Sequence, residues 1–398
     1  MAARNRWRSL FFSGVELVPG NRLRLLQNGA EFFPSLIAAI DAAEAEVHLE
    51  TYIFNADPTA ERVRDALMRA ASRGVQVRLL IDGEGSADTL PADWLAALRA
   101  AGVSVLFYRP LVGRGWRSNP RSLRRLHRKL TAIDARIAFV GGMNLIDDHE
   151  PVHLDAPRLD FSVEVQGPLL ASIHFSARRL WWLVALTQMQ PDQQQVPIEP
   201  SWPTDGHTRA AFVVRDNFAH RRDIERVYLA ALALARDDIY IANAYFLPGR
   251  RFRTLLKKAA ARGVRVHLLM QGHPDHPFFQ TAARALYRDL LAAGINLYEY
   301  QVSELHAKVA VFDGHWATVG SSNIDPFSLL LAREANIVVD DAAFARDLQQ
   351  RLQQAIAQST PLDPADWQRR PWPQRMLSWL AYGGVRLMVG LSGAGRWA

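Results

Sequence analysis

Ala71-Ser72-Arg73-Gly74-Val75-Gln76-Val77-Arg78-Leu79-Leu80 is written a second time, with few changes, as Ala260-Ala261-Arg262-Gly263-Val264-Arg265-Val266-His267-Leu268-Leu269. In each copy an Arg-Gly pair closes a helix-forming stretch, over 60–72 and 252–261, and a β-branched run follows; this is a glycine stop leading into a buried strand. Working outward, Leu98-Arg99-Ala100-Ala101-Gly102-Val103 recurs as Leu290-Leu291-Ala292-Ala293-Gly294-Ile295. Upstream of each copy lies an apolar run, Val47-His48-Leu49-Glu50-Thr51-Tyr52-Ile53-Phe54 and Ile239-Tyr240-Ile241-Ala242-Asn243-Ala244-Tyr245-Phe246. Each half therefore reads strand, helix, strand, helix, strand, an alternation that predicts α/β layers. The period is far too long for a solenoid, so two duplicated α/β/α domains packed face to face around one shared site are expected.

Residues 189–206 carry Gln193-Gln194-Gln195 and four prolines, break the periodicity and read as a linker. The expected organisation is a basic, aromatic segment at 1–23, a first domain at 24–188, the linker, a second domain at 207–360 and an amphipathic tail at 361–398. The chain has 398 residues, 49% hydrophobic and 22% charged, enough for two real cores and too mixed in charge for disorder. Its formal net charge of +7 points to anionic partners, whether nucleic acid, lipid surface or phosphorylated substrate. The absence of cysteine excludes disulfides, thiol catalysis and cysteine-based zinc sites. Residues 1–12 hold too short an apolar run for a secretory signal and read as retained. No window is long and apolar enough to predict a membrane-spanning helix.

Late in each half the same constellation appears: His127, Lys129, Asp134, then Gly141-Gly142-Met143-Asn144; and His306, Lys308, Asp313, then Gly320-Ser321-Ser322-Asn323. A chance match of about one in twenty per position gives His, Lys and Asp together in roughly one window in eight thousand, so equivalent placement in both halves is not chance. A lone histidine is most often structural, but duplication with Lys and Asn argues for chemistry. Residues 130–134 and 309–313 read as strands, and extending each back to its histidine puts His and Lys at i and i+2 on one face. Lysine there supplies charge against a phosphate, while imidazole attacks phosphorus when neutral and donates to a leaving oxygen when protonated. Asp134 and Asp313 have opposite strand parity from their histidines, and Asp313-Gly314 is a hairpin-turn pair, which suits support better than contact.

These paired signatures resemble the phospholipase D superfamily. Within it the likeness is to the B-type bacterial cardiolipin synthase family, carried by Leu126-His127-Arg128-Lys129, by Ile137-Ala138-Phe139-Val140-Gly141-Gly142-Met143-Asn144, by His315-Trp316-Ala317-Thr318-Val319-Gly320-Ser321-Ser322-Asn323 and by Ala242-Asn243-Ala244-Tyr245-Phe246-Leu247-Pro248-Gly249. The resemblance runs from about residue 25 to 347. It implies a phosphatidyltransferase that makes cardiolipin from phospholipids, with phosphatidylglycerol as donor and acceptor, through a covalent phosphohistidine and without metal or other cofactor. It assigns His127 as nucleophile and His306 as acid then base, an order that the near-equivalence of the two motifs leaves open, with Lys129, Lys308, Asn144 and Asn323 holding the non-bridging oxygens. Asp160 aligns with Glu334, each at the start of the strand after its motif, and a carboxylate bonded to an imidazole fixes its tautomer. Which carboxylate serves which histidine stays open, as do the donor lipid and the oligomeric state.

The His273-Pro274-Asp275-His276 loop invites a metal reading but lacks further close ligands. Basic residues interleave with aromatics at Arg6-Trp7-Arg8-Ser9-Leu10-Phe11-Phe12 and Arg178-Arg179-Leu180-Trp181-Trp182-Leu183, while Arg114, Arg117, Arg121, Arg124 and Arg125 crowd before the first motif. With Trp379-Leu380-Ala381-Tyr382-Gly383-Gly384-Val385-Arg386-Leu387-Met388-Val389, whose glycines weaken a helix, they suggest peripheral attachment to an anionic membrane surface. The family's setting implies the bacterial inner membrane, and the lack of an export signal favours its cytoplasmic side. The alternatives are a phospholipase D-type hydrolase and a nuclease of the same superfamily. Nucleic acid is disfavoured because both motifs share one chain and the basic edges are rich in tryptophan.

Overall fold

A computed structural model of the chain describes residues 15–110, 124–149, 156–190, 198, 200–203, 205–273 and 277–391. The basic and aromatic stretch before residue 15, the basic loop at 111–123, much of the proline-rich segment, and residues 274–276 of the candidate metal loop lie outside the described residues.

The strands of the first half are β1 (Val18–Gln27), β2 (Glu46–Thr51), β3 (Gln76–Asp82), β4 (Ser104–Tyr108), β5 (Lys129–Ile133), β6 (Ile137–Gly141) and β7 (Phe161–Gln166). Those of the second are β8 (Thr208–Arg215), β9 (Asp238–Asn243), β10 (Arg265–Gln271), β11 (Asn296–Tyr300), β12 (Lys308–Phe312), β13 (Trp316–Gly320) and β14 (Glu334–Asp340), with a short β15 (Thr360–Pro361) on the edge. The first half is ordered β1-β7-β6-β5-β2-β3-β4 and the second β8-β14-β13-β12-β9-β10-β11, the same order twice. The antiparallel pair β1 and β8, irregular between Val18 and Asn21, joins them into one sheet. Duplication thus yields continuity as well as apposition, because each half's leading strand offers its free edge to the other.

Local chemistry accounts for the helices. In helix Pro58–Ser72 the Asp57 carboxylate accepts from the Thr59 and Ala60 amides, and proline occupies the first turn. The helix ends where Gly74 takes φ +90°, as Gly263 (φ +88°) ends Arg250–Ala261, which is the stop anticipated from Arg-Gly. Helices Asn28–Asp41, Pro58–Ser72 and Ala92–Ala100 cover one face of the first half through Phe33, Leu36, Leu67 and Leu98. Asp223–Leu234, Arg250–Ala261 and Pro277–Ala292 do the same in the second. A further core runs between the halves, combining Leu130, Val140 and Val163 with Val309, Val319 and Ile337. Here β6 and β7 lie against β13 and β14. This internal face brings the two motifs together.

Helix Trp372–Leu391 runs unbroken through Gly383 and Gly384, against the weakening expected from those glycines. Packing on Pro277–Ala292 explains it: Ala381, Tyr382, Val385 and Val389 are buried in the second half's core. Burial outweighs a propensity cost of about 1 kcal/mol per glycine.

Candidate active site

His127 and His306 stand two residues ahead of Lys129 and Lys308, the first residues of β5 and β12, and both line one cavity of about 510 Å³. Their backbones cross between halves, since the His127 amide donates to the Arg333 carbonyl and the His306 amide to the Leu159 carbonyl, each at 2.9 Å. The side chains cross too. His127 Nδ1 lies 2.9 Å from Glu334 Oε1, and His306 Nδ1 lies 2.6 Å from Asp160 Oδ2. Each imidazole therefore takes its carboxylate from the opposite half. An Nδ1 proton donated to a carboxylate leaves Nε2 as the free ring nitrogen.

The two carboxylates are held differently. Glu334 Oε2 accepts from the Ser321 hydroxyl, whose oxygen in turn accepts from the Ala335 amide. Asp160 Oδ1 accepts from the Phe161 amide, and a Cβ on Gly142 would sit 2.2 Å from that oxygen. The shorter aspartate is met by a closer backbone, so Gly142 is bare where its counterpart Ser321 has room for a hydroxyl.

Lys129 Nζ donates to the His127 carbonyl at 2.7 Å, and Lys308 Nζ donates to the His306 carbonyl. Both ammoniums are buried beneath the histidines. Burial lowers Lys129 to about 7, with Lys308 pushing it the same way, and lowers Lys308 to about 8, with Arg158 adding to the effect. Burial also pushes the His127 imidazole down, and His306 well below the usual histidine range, where Lys308 and Arg158 add to the effect. Burial raises Asp160 to about 7 against the pull of Lys308. A site rich in desolvated cations is one that an anionic phosphodiester would relieve.

Asn144 and Asn323 line the same cavity. Asn144 Oδ1 accepts from the Ile53 amide at 3.2 Å, whereas Asn323 Oδ1 is buried without a hydrogen-bond partner among the described residues. Asp134 and Asp313 lie at the far ends of β5 and β12, away from the imidazoles. Asp134 accepts from the amides of Glu44, Ala45 and Glu46, and Asp313 from those of Arg236, Asp237 and Asp238. Both occupy left-handed turns, at φ +51° and +52°.

Residues the sequence did not single out complete the walls. Tyr52 sets its ring 5.1 Å from His127, and Lys129 Nζ lies 5.5 Å from the same ring. Arg158 pairs with Glu304 at 2.8 Å, and both line the cavity. Arg125, read as part of the basic run before the first motif, lines the same cavity and is buried on Asp82 at 3.0 Å with Glu84 beside it. Its partners are distant in sequence, and only the repeat alignment of Tyr52 with Ala244 offered any signal. Trp181 also turns inward to the core, leaving Trp182 exposed. Among the described residues, no group of three or more His, Asp or Glu could hold a metal ion.

A duplicated α/β sheet that closes two His-Lys motifs on one cavity is the architecture of a phosphodiester-transfer enzyme of the phospholipase D-like class. The family described as cardiolipin synthase, PLD-like domain, matches residues 36–150 and 228–356. Cardiolipin synthase B of Escherichia coli (strain K12) is 40% identical over 94% of this chain and 90% of its own, and cardiolipin synthase A of Edwardsiella ictaluri is 31% identical over 93% and 76%. The chain belongs to the cardiolipin synthase family. Its fold is similar to that of the crystal structure of phosphatidylserine synthase from Haemophilus influenzae Rd KW20, with TM-score 0.69 at 13% identity over 98% of this chain and 99% of that one.

Proposed function

We propose that the enzyme joins two phosphatidylglycerols into cardiolipin and glycerol. His127 Nε2 attacks the donor phosphorus as its bond to the head-group glycerol breaks, and His306 supplies that glycerol with a proton. A hydroxyl of the second lipid then gives its proton to His306 and displaces the phosphatidyl group from His127, which balances the cycle. The observation that carries this reading is the crossed pairing of two imidazoles with carboxylates of the opposite halves around one cavity. Glu334 and Asp160 orient the rings, and Lys129, Lys308, Asn144 and Asn323 hold the non-bridging oxygens. Asp134 and Asp313 support the turns that end the motif strands. Residues 24–188, extended to Val18 by strand β1, and residues 207–360 serve as the duplicated units, joined by 189–206.

We further infer peripheral attachment at the cytoplasmic face of the inner membrane. No described helix is long and apolar enough to cross a membrane. Helix Trp372–Leu391 exposes Trp372, Leu377, Trp379, Leu380 and Leu387, an apolar face suited to an interface.

The test is to incubate purified enzyme and phosphatidylglycerol vesicles with excess chelator, resolve the lipids by mass, and run labelled single-stranded DNA in parallel. Cardiolipin and free glycerol, both lost in His127→Ala, are expected. Phosphatidic acid alone would mean a hydrolase, and cleaved DNA with untouched lipid would mean a nuclease.

A further inference from the structure

The halves are equivalent in strand order but not in what they leave open. Tyr52 and Ala244 each directly follow equivalent strands, β2 and β9, and both line the cavity. In the first half the tyrosine ring fills the space beside His127. In the second, Ala244 supplies only a methyl group at that position. The helix after the next strand, β3 or β10, also differs, with 9 residues in Ala92–Ala100 against 16 in Pro277–Ala292. The additional N-terminal turns carry Phe279 and Ala283 over the cavity. Together with Phe246, Met270 and Phe327 they make an apolar recess that opens on the same cavity as both histidines.

Helix Pro277–Ala292 separates this recess from the exposed apolar face. Phe279 packs edge-on against Phe327 at 5.3 Å and against Phe278 at 5.8 Å. Phe278 is 45% exposed and abuts Gly384 of helix Trp372–Leu391. Aromatic contacts thus connect the membrane-suited surface to the recess. A lined apolar space offers water few partners, and a ligand whose phosphate sits at the histidines must place its attached groups in the same cavity.

We propose that the second-half recess holds one acyl chain of the phosphatidyl donor, with Ala244 and Ala283 setting its width. This rests on the phosphatidyl-transfer reading. The diacylglycerol side of the donor lies toward the second half, and the alcohol that leaves and the one that enters use the polar wall of the cavity.

The experiment compares kcat/KM for long-chain (dioleoyl) and short-chain (dihexanoyl) phosphatidylglycerol in mixed micelles. Ala244→Tyr, which copies the first half, and Ala283→Phe should each lower the long-to-short ratio by about tenfold or more, since pocket methylenes discriminate on that scale. A ratio unchanged within twofold in both overturns the proposal. Melting curves verify folding, and Ala283→Leu replaces a variant that fails to fold. Photocrosslinking reads the recess without turnover: phosphatidylglycerol with a mid-chain diazirine should label peptides within 244–247 or 277–292. Label confined to 372–391 or to the first half overturns the proposal. A wild-type enzyme that turns over neither donor defeats the transfer reading alone, and the crosslink then decides the recess separately.

Discussion

His127 depends on Glu334, 207 residues away and in the other half of the chain, for the carboxylate 2.9 Å from its Nδ1. His306 depends on Asp160 in the same way. Neither half holds a complete His-carboxylate pair of its own motif. Removing either carboxylate's charge should lower kcat by about 10²–10⁴, the scale of tautomer loss in comparable pairs. Glu334→Gln and Asp160→Asn, assayed by steady-state transfer, are expected to change kcat with melting temperature little affected. A rise in KM alone would refute the orienting role.

The unequal support of the carboxylates makes the motifs non-interchangeable. Gly142→Ser writes the second half's residue into the first, and its Cβ would fall on Asp160. Loss of the His306 contact should lower kcat about 100-fold. Ser321→Gly removes one hydrogen bond to Glu334 and should cost about tenfold or less. Equal effects of the two changes would remove the asymmetry argument.

Lys129 at about 7 and Lys308 at about 8 predict an alkaline limb. Their folded-state values are depressed, so both are cationic below pH 7 and lose charge as pH rises through 7 to 8. The donor's KM should therefore rise over that interval. By linkage a bound phosphodiester raises both lysines, so the limb in kcat must lie at higher pH than the limb in kcat/KM. The lowered His127 imidazole remains a neutral nucleophile below the usual histidine midpoint, which extends the acid side, while the bound phosphodiester by the same linkage raises His306 toward the protonated form its acid role needs. Full pH profiles check both limbs, and coincident limbs would show that the lysines do not meet the phosphate.

Asp134 holds three backbone amides in a left-handed turn. Asp134→Ala should destabilise the fold by about 2–4 kcal/mol, because buried donors lose a charged acceptor and alanine tolerates that φ poorly. Asp134→Asn should cost less. Denaturant titration measures the difference, and a loss of kcat at unchanged stability would return Asp134 to the chemistry.

Trp379 and Leu380 are 53% and 64% exposed on helix Trp372–Leu391. Replacing both with Glu should weaken flotation with anionic vesicles about tenfold or more. Transfer on vesicles should fall with it, while transfer in detergent micelles falls less. Unchanged flotation would place the membrane contact elsewhere.

The sequence by itself determined the duplication, the two His-Lys motifs, the glycine-stopped helices and the turn at Asp313. All of these are short-range regularities, legible because period, spacing and turn chemistry act within a few residues. It marked Asp160 and Glu334 without pairing them, misjudged Trp181 and the Gly383-Gly384 helix, and passed over Tyr52, Arg158 and Glu304. Only the tertiary structure decided that the carboxylates cross, that one half is filled by Tyr52 and the other opened by Ala244, and that the last long helix becomes part of a core. Contacts spanning 146 and 207 residues leave no local periodicity. They are selected by how two sheet faces bury each other, an energy that belongs to the packed pair and to neither strand alone.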